Sequence, residues 1–327
     1  MQTDGFSVAH INEVAGVPST LVAAARAQNL SWDLRRIPPG RGNPVRVLWS
    51  RLCDLIAWRK ESHKYDLLHL HFATNGYMVW GKRPFIVHLH GSDIRRDWQK
   101  PGLRQIINKT LRDAQTVICA TPDLLGWVRE IRPDAVWLPN PVPQTFLTPL
   151  TTAVTPVSGR IVFSSRWDST KGVELLIPLA KRLISDGFEV HGLDWGSDAA
   201  SAGSAGVVLH PLMSAEEFQK FLASAEAVVG QLKFPAFSMT DYQTMAVGRP
   251  LIAMANEESA PVFTFDARPA DPSTITDQVA ELAEIVKAAL GTDAIAAKAW
   301  VKATHSPDTV LQQLLSIYEK VLETPAS

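Results

Sequence analysis

Arg166 and Lys171 lie five residues apart in SSRWDSTKGVELLIPLAKRL (164–183), where a short apolar run meets a loop and then a helical period. Two cations at a helix N-terminus suit a diphosphate, because the backbone N–H groups there add to their charge. In the first half, His69 and His71, then His88 and His90, close two apolar runs, and Asp93, Arg95 and Arg96 follow. His69, His71 and His88 read as core or near-core residues. Gly16, in Ala15-Gly16-Val17, lets backbone approach a phosphate or an acceptor closely, or simply makes a tight strand–helix turn. Asp93 fits three roles: orienting His90, binding acceptor, or capping the next helix. Cys53 and Cys119 are too few for a disulfide framework or a four-ligand zinc site, and read as two thiols in a reducing compartment.

The elements that must hold these residues alternate. Strands are expected at 6–11, 67–72, 85–89 and 116–120, with helices over 19–28 and 46–60, the latter on apolar residues 48, 52, 55 and 56. Strands separated by helices imply a parallel sheet covered on both faces. Residues 139–159 hold five prolines and no helical period, which suits an interdomain linker. The alternation restarts with strands at 161–165, 189–193, 207–209, 227–232 and 251–255. Helices are expected at 173–185, 214–225 and 276–290, around Trp300 and over 310–322. Ser214-Ala-Glu-Glu217 is a capping box. The reading is α/β, two doubly wound domains at 1–150 and 151–327, with ligands expected at the carboxyl ends of the strands and in the cleft between the domains.

The 327 residues carry 32 Lys+Arg against 33 Asp+Glu, with 46% hydrophobic residues, which excludes disorder, collagen and coiled coil. The charge is unevenly divided. Residues 1–150 hold 19 basic and 12 acidic side chains, net +7, and the remainder 13 and 21, net −8. That favours an anionic partner for the first half. No run of about 20 apolar residues occurs, and the start MQTDGFSVAH lacks a basic region followed by an apolar stretch. The expectation is a cytoplasmic protein, with peripheral contact at the inner face of a membrane.

Segment 164–183 resembles the Gly-Arg…Lys-Gly signature of family 4 glycosyltransferases, with Ser165 where the family usually has Gly. Tyr65-Asp66-Leu-Leu-His69-Leu-His71, Val87-His88-Leu-His90-Gly91-Ser92-Asp93, Ala120-Thr121-Pro122-Asp123, Leu138-Pro139-Asn140-Pro141 and Met245-Ala246-Val-Gly248-Arg-Pro250 fall in the order that family has, and residues 306–322 resemble its closing helix. The resemblance implies the GT-B fold, two Rossmann-like domains facing across a cleft. It also implies retaining, metal-independent transfer of a sugar from a nucleotide diphosphate donor on the second domain to an acceptor on the first. No cofactor is implied beyond that co-substrate. Metal independence also suits a sequence with no Asp-x-Asp tripeptide and no His/Cys ligand cluster.

By the same resemblance, His90 lies at the reacting centre, and Arg166 and Lys171 stabilise the departing diphosphate. Gly16, Ser165, Ser238, Met239, Thr240 and Gln243 join the donor site, and His210 falls where backbone reads the nucleobase. The family's two glutamates, with seven residues between them, are Pro235 and Gln243 here. Gln243 keeps hydrogen-bonding capacity for ribose hydroxyls and Pro235 keeps none, so sugar selection is expected to be unusual or activity low. Lys233, Ser238, Thr240 and Asp241 are the polar neighbours that would compensate.

On the acceptor side, Arg46, Arg51, Arg59 and Lys60 accompany Trp49 and Trp58, and Arg95 to Lys100 with Arg104 add a second basic and aromatic cluster. Basic helices with tryptophan suit an anionic membrane surface and a lipid-linked acceptor, whereas nothing resembles a nucleic-acid module. The missing glutamates also admit a non-catalytic GT-B binding or partner subunit.

Overall fold

The computed structural model describes residues 5–38, 40, 42–81, 84–256, 258–266 and 274–323. The chain divides into two compact units, Met1–Pro143 with Pro307–Ser327, and Gln144–Ser306. The first contains β1 (Val8–Ile11), α1 (Val17–Ala27), β2 (Trp32–Arg35), α2 (Pro44–Glu61), β3 (Leu67–His71), β4 (Phe85–Leu89), α3 (Ser92–Arg95), α4 (Pro101–Asp113), β5 (Thr116–Cys119), α5 (Asp123–Val128) and β6 (Val136–Trp137). The second contains α6 (Gln144–Leu147), β7 (Arg160–Phe163), α7 (Val173–Ser185), β8 (Glu189–Leu193), α8 (Ala199–Ser204), β9 (Val208–His210), α9 (Ala215–Ala223), β10 (Ala227–Val229), α10 (Met239–Val247), β11 (Leu251–Met254), β12 (Phe263–Phe265), α11 (Ile275–Ala289) and α12 (Ile295–His305). The last helix, α13 (Pro307–Glu323), returns to the first unit and packs on α1.

Both sheets have six parallel strands, ordered β2-β1-β3-β4-β5-β6 and β12-β11-β10-β7-β8-β9. Each order reverses direction beside its first strand, between β1 and β3 in one unit and between β7 and β10 in the other. Loops leaving such neighbours diverge to opposite faces and open a crevice at the carboxyl edge. Side chains alternate along a strand. In the first unit Ala9, Ile11, Leu68, Leu70, Val87 and Leu89 therefore face one apolar core with Trp58, Met78, Ile107 and Leu111. The second core gathers Ile161, Phe163, Trp167, Leu176, Leu179, Val229, Leu282 and Val286.

Three expectations are corrected here. The proline-rich stretch 139–159 is not a bare linker: Val142 and Phe146 are buried, and α6 packs on α9 and α10. Strands β2, β6 and β12 and helices α8 and α10 had no period strong enough to announce them, being two to nine residues long. In α2, three of the four apolar residues expected to pack, Leu48, Leu52 and Ile56, point outward, with Leu48 72% and Ile56 51% exposed, and only Leu55 turns inward. The helix is held instead by Val47, Arg51, Asp54, Leu55 and Trp58, the parallel stripe at helical spacing.

Candidate active site

In the first unit, parallel register sets His10 beside His69 and His71 beside His88. Alternation then puts His10, His69, His71, His88 and His90 on one face of three adjacent strands, opposite the apolar core. The sequence reading found no histidine cluster, because these residues approach one another only through strand pairing. Rings stack along the face, His69 on His71 at 4.3 Å and His88 on His90 at 4.5 Å. Hydrogen bonds of 2.9 Å join His10 Nδ1 to His71 Nε2 and His71 Nδ1 to His90 Nε2. Burial holds His10 and His90 down to about 3. It also drives His69, His71 and His88 well below the usual histidine value, helped by their neighbours' charges. At neutral pH the stack is uncharged. Its ring nitrogens approach within 4.8 Å in two groups of three, His10/His69/His71 and His71/His88/His90.

His90 is half-buried at the carboxyl end of β4. The loops beside it are strained: Asn12, Ala15 and Phe72 all have positive φ without being glycine. Asn12 Nδ2 donates to the His71 carbonyl at 3.2 Å, and the Phe72 ring lies parallel to His90 at 6.5 Å. Neither Asn12 nor Phe72 was singled out in the sequence; asparagine's tolerance of left-handed backbone is a signal for the first, and nothing flags the second. Gly16, at φ 77, caps α1, whose Ser19 and Thr20 hydroxyls donate to its carbonyl. Asp93 is fully buried and accepts from the backbone N–H groups of Gly91 (2.9 Å), Ile94 (3.2 Å) and Ala73 (3.3 Å). So placed, the carboxylate braces the loop that follows β4. Burial lifts its carboxyl to about 6 against those hydrogen bonds. Arg95 makes a bidentate pair with Asp123 and also donates to Thr121 Oγ1. Arg96 and Lys100 both pair with Asp97, and Arg104 lies over the Trp98 ring. Arg95 is thus taken up by Asp123, while Arg96 and Lys100 share one carboxylate and stay more than half exposed.

In the second unit, the β7–α7 and β10–α10 loops meet at the direction reversal. Arg166 donates to Thr170 Oγ1 at 3.1 Å, approaches Asp168 at 3.4 Å and lies over Trp195 at 5.2 Å. Its guanidinium is therefore held in place by its own loop and by Trp195. The Lys171 carbonyl accepts from Leu232 N at 3.0 Å, tying the two loops together. Gly172 makes this approach feasible: its φ is +87, and a Cβ there would meet the Leu232 carbonyl at 2.8 Å. Helix α10 starts at Ser238 with a capping box closed by Asp241. Asp241 is buried and lifted to about 6 by burial, an effect opposed by Ser238 hydrogen bonds and the Lys171 charge. Ser238, Met239, Thr240 and Gln243 are half-buried on this first turn, and Ser165 is buried with its hydroxyl unpartnered among the described residues. Pro235 is exposed. His210, at the end of β9, is hydrogen-bonded to His191 at 2.9 Å and packed on Phe221. The arrangement presents cations and a helix N-terminus together, a place for an anion.

Residues 6–147 match the family profile described as the glycosyl transferase 4-like domain. That stretch is similar to the glycosyl transferase 4-like domain. No curated protein sequence matches the chain, but solved structures do along nearly its full length. HepE of Anabaena in complex with UDP and glucose is 13% identical, with 96% of this chain and 100% of that one covered and a TM-score of 0.70. Sucrose-phosphate synthase of Thermosynechococcus elongatus is 15% identical over 96% and 99%, TM-score 0.66. The catalytic domain of Arabidopsis thaliana starch synthase IV bound to ADP and acarbose is 11% identical over 98% and 100%, TM-score 0.64. The fold is that of GT-B glycosyltransferases, two Rossmann-like α/β domains.

Helix α2 carries a second apolar stripe, Val45, Leu48, Trp49, Leu52 and Ile56, all exposed, flanked by Arg46, Arg59 and Lys60. Trp58, grouped with Trp49 in the sequence, is instead buried, its indole donating to the Met78 carbonyl at 2.9 Å. Beside α2 lies a groove of about 670 Å³ lined by Gly40, Gly42, Pro44, Leu48, Leu52, Leu55 and Tyr77, where Arg51 donates to the Tyr77 hydroxyl. No described helix is long and apolar enough to cross a membrane.

Proposed function

We propose that the chain is a retaining, metal-independent glycosyltransferase whose donor is a nucleotide diphosphate sugar. The observation that carries this is that the loop of Arg166 and Lys171 meets the α10 N-terminus at the β7/β10 reversal, in a chain whose residues 6–147 are similar to the glycosyl transferase 4-like domain. Breaking the glycosidic bond leaves charge on the diphosphate. Cations already aimed at it stabilise the transition state more than the ground state. HepE and starch synthase IV, of the same fold, were solved with UDP and with ADP, which supports a nucleoside diphosphate here. His90 supplies the first unit's contact with the transferred sugar.

The acceptor is anionic or lipid-linked, taken by the first unit at a membrane surface. The exposed apolar stripe of α2 with its basic flanks, and the groove beside it, support this. The enzyme works at the inner face of the membrane without crossing it.

The test is a thermal-shift screen with UDP, GDP, ADP and dTDP, followed by transfer assays with the matching nucleotide sugars. A ligand at 100 times its Kd stabilises by about 2.7 kcal/mol. One nucleotide is expected to stand out, and Arg166→Ala and Lys171→Ala are each expected to remove its shift. Pro235 and Gln243 favour one second reading, a binding subunit without turnover; nucleotide binding with neither hydrolysis nor transfer would establish it.

A further inference from the structure

A neutral imidazole has one donor nitrogen and one acceptor, so a row of hydrogen-bonded imidazoles has only two self-consistent polarities. The stack in the first unit is such a row. The Tyr318 hydroxyl, on α13, contacts His69 Nδ1 and lies 3.3 Å from His10 Nε2. His10 Nδ1 meets His71 Nε2, and His71 Nδ1 meets His90 Nε2, each at 2.9 Å. His10, His69, His71 and Tyr318 are fully buried, so none exchanges a partner with water. Burial depresses every ring in the row, so each carries a single proton at neutral pH.

The buried end chooses the polarity. His69 Nε2 is buried with no hydrogen-bond partner among the described residues. If the protons pointed inward, Tyr318 would donate to His69 Nδ1 and leave a proton stranded on Nε2. If they point outward, His69 donates to Tyr318, Tyr318 to His10, His10 to His71 and His71 to His90. Only a lone pair is then stranded. A buried N–H without an acceptor is the rarer and costlier end.

We infer that His69, Tyr318, His10 and His71 lock His90 in its Nδ1–H form, so that His90 meets its substrate as a hydrogen-bond donor to an oxygen and never as a base. This rests on the reading that His90 contacts the transferred sugar; the other four are positioning residues. The ligand atom it takes is an acceptor, a sugar or phosphate oxygen. A metal ion among these histidines is disfavoured by the same geometry. Two tetrahedral zinc ligands at about 2.1 Å from the ion stand about 3.4 Å apart, whereas the paired nitrogens lie at 2.9 Å. Rings as parallel as His69 and His71, 4° apart, do not aim their lone pairs at one point.

The test is long-range ¹⁵N–¹H correlation of the full chain, labelled at histidine, at neutral pH. His90 is expected to show a proton on Nδ1 and a bare Nε2; a proton on Nε2 overturns the inference in the wild type alone, whatever the variants do. His71→Asn, whose amide N–H stands near the place of Nδ1, is expected to keep the single tautomer, and His71→Leu to release both. A single Nδ1–H form in a folded His71→Leu overturns the claim that the chain sets it. Stoichiometric Zn²⁺ binding that moves these signals together would overturn it in favour of a metal site, and no such binding supports it. Adding the nucleotide sugar separates the two readings. If the tautomer is as stated and the His90 signals ignore the donor, the chain stands and the sugar contact falls.

Discussion

Replacing His10 by Phe should change the pH dependence of stability by an amount the structure fixes. His10 is fully buried and held at about 3, against 6.5 for an exposed histidine. Its folded-state value is depressed, so the unfolded chain binds the proton more readily. The resulting stability is fully present above pH 6.5 and is lost as pH falls from 6.5 towards 3. Each unit of pH in that window removes about 1.36 kcal/mol, so pH 5 removes about 2 kcal/mol through His10 alone. Asp93 and Asp241, lifted to about 6, act oppositely by taking up protons in the folded state as pH falls from 7 to 5. Absolute stabilities therefore mix both signs, and the difference between wild type and variant isolates His10. At pH 7 His10→Phe is destabilised by about 2–3 kcal/mol, because His71 Nε2 and the Tyr318 hydroxyl lose a partner. By pH 5 the gap should close by about 2 kcal/mol. Urea unfolding followed by tryptophan emission reads this, since Trp32 is buried 5.1 Å from the His10 ring. A gap equal at both pH values would refute the account of a neutral histidine face.

Helix α2 supplies another expectation: the double variant Leu48→Gln, Trp49→Gln should lose about tenfold or more in partitioning to anionic vesicles, since burying a leucine-sized side chain contributes at least about 1.5 kcal/mol. Its stability should stay within about 0.5 kcal/mol of wild type, both side chains being more than 60% exposed; vesicle flotation and urea unfolding check the two halves. Gly172→Ala should cost about 2 kcal/mol or more in the second unit's thermal unfolding, from positive φ and the Leu232 carbonyl together. Asp123→Ala leaves Arg95 half-buried and without its bidentate partner, for about 2 kcal/mol of stability, while nucleotide affinity measured by calorimetry should not change. Gln243→Glu should tighten ribonucleotides over their 2′-deoxy analogues by about fivefold, the value of one charge-assisted hydrogen bond of about 1 kcal/mol.

Much of the frame was legible because its signals are local. Helix α7 and strand β8 begin and end where periodicity placed them, and the capping box at Ser214 forms as written. The alternation of elements implied the parallel sheets. What escaped depends on pairing between distant segments. His69, His71 and His88 each read as a core residue in its own strand, His90 reads as a site residue, and His10 carries no signal of its own. Only the register of β1, β3 and β4 makes five of them one face, and only the return of α13 brings Tyr318 to its end. Helix α2 misled for a different reason. It has two apolar stripes, and periodicity cannot say which meets the core and which meets the surroundings. The pairing of Arg95 was not legible because charge in sequence ignores partners: Asp123 lies 28 residues away.

The loss of the two family glutamates bears on sugar and diphosphate differently. Among the acids near the edge of the second sheet, Asp168 holds Arg166, Glu174 pairs with Lys233, and Asp241 is buried in the capping box of α10. None of these is poised to replace a carboxylate at Pro235 or Gln243. The polar groups left on that turn, Ser238, Thr240 and Gln243, are neutral. Stabilising a departing diphosphate needs positive potential, and removing nearby carboxylates raises it. Fixing a sugar by its hydroxyls needs directed acceptors, and Pro235 provides none. Under the proposed function, nucleotide binding is the property that these substitutions spare, and sugar choice and turnover are the properties they alter. A protein that bound neither nucleotide nor sugar would need a further defect, which Arg166, held by its loop, and the intact α10 terminus do not supply.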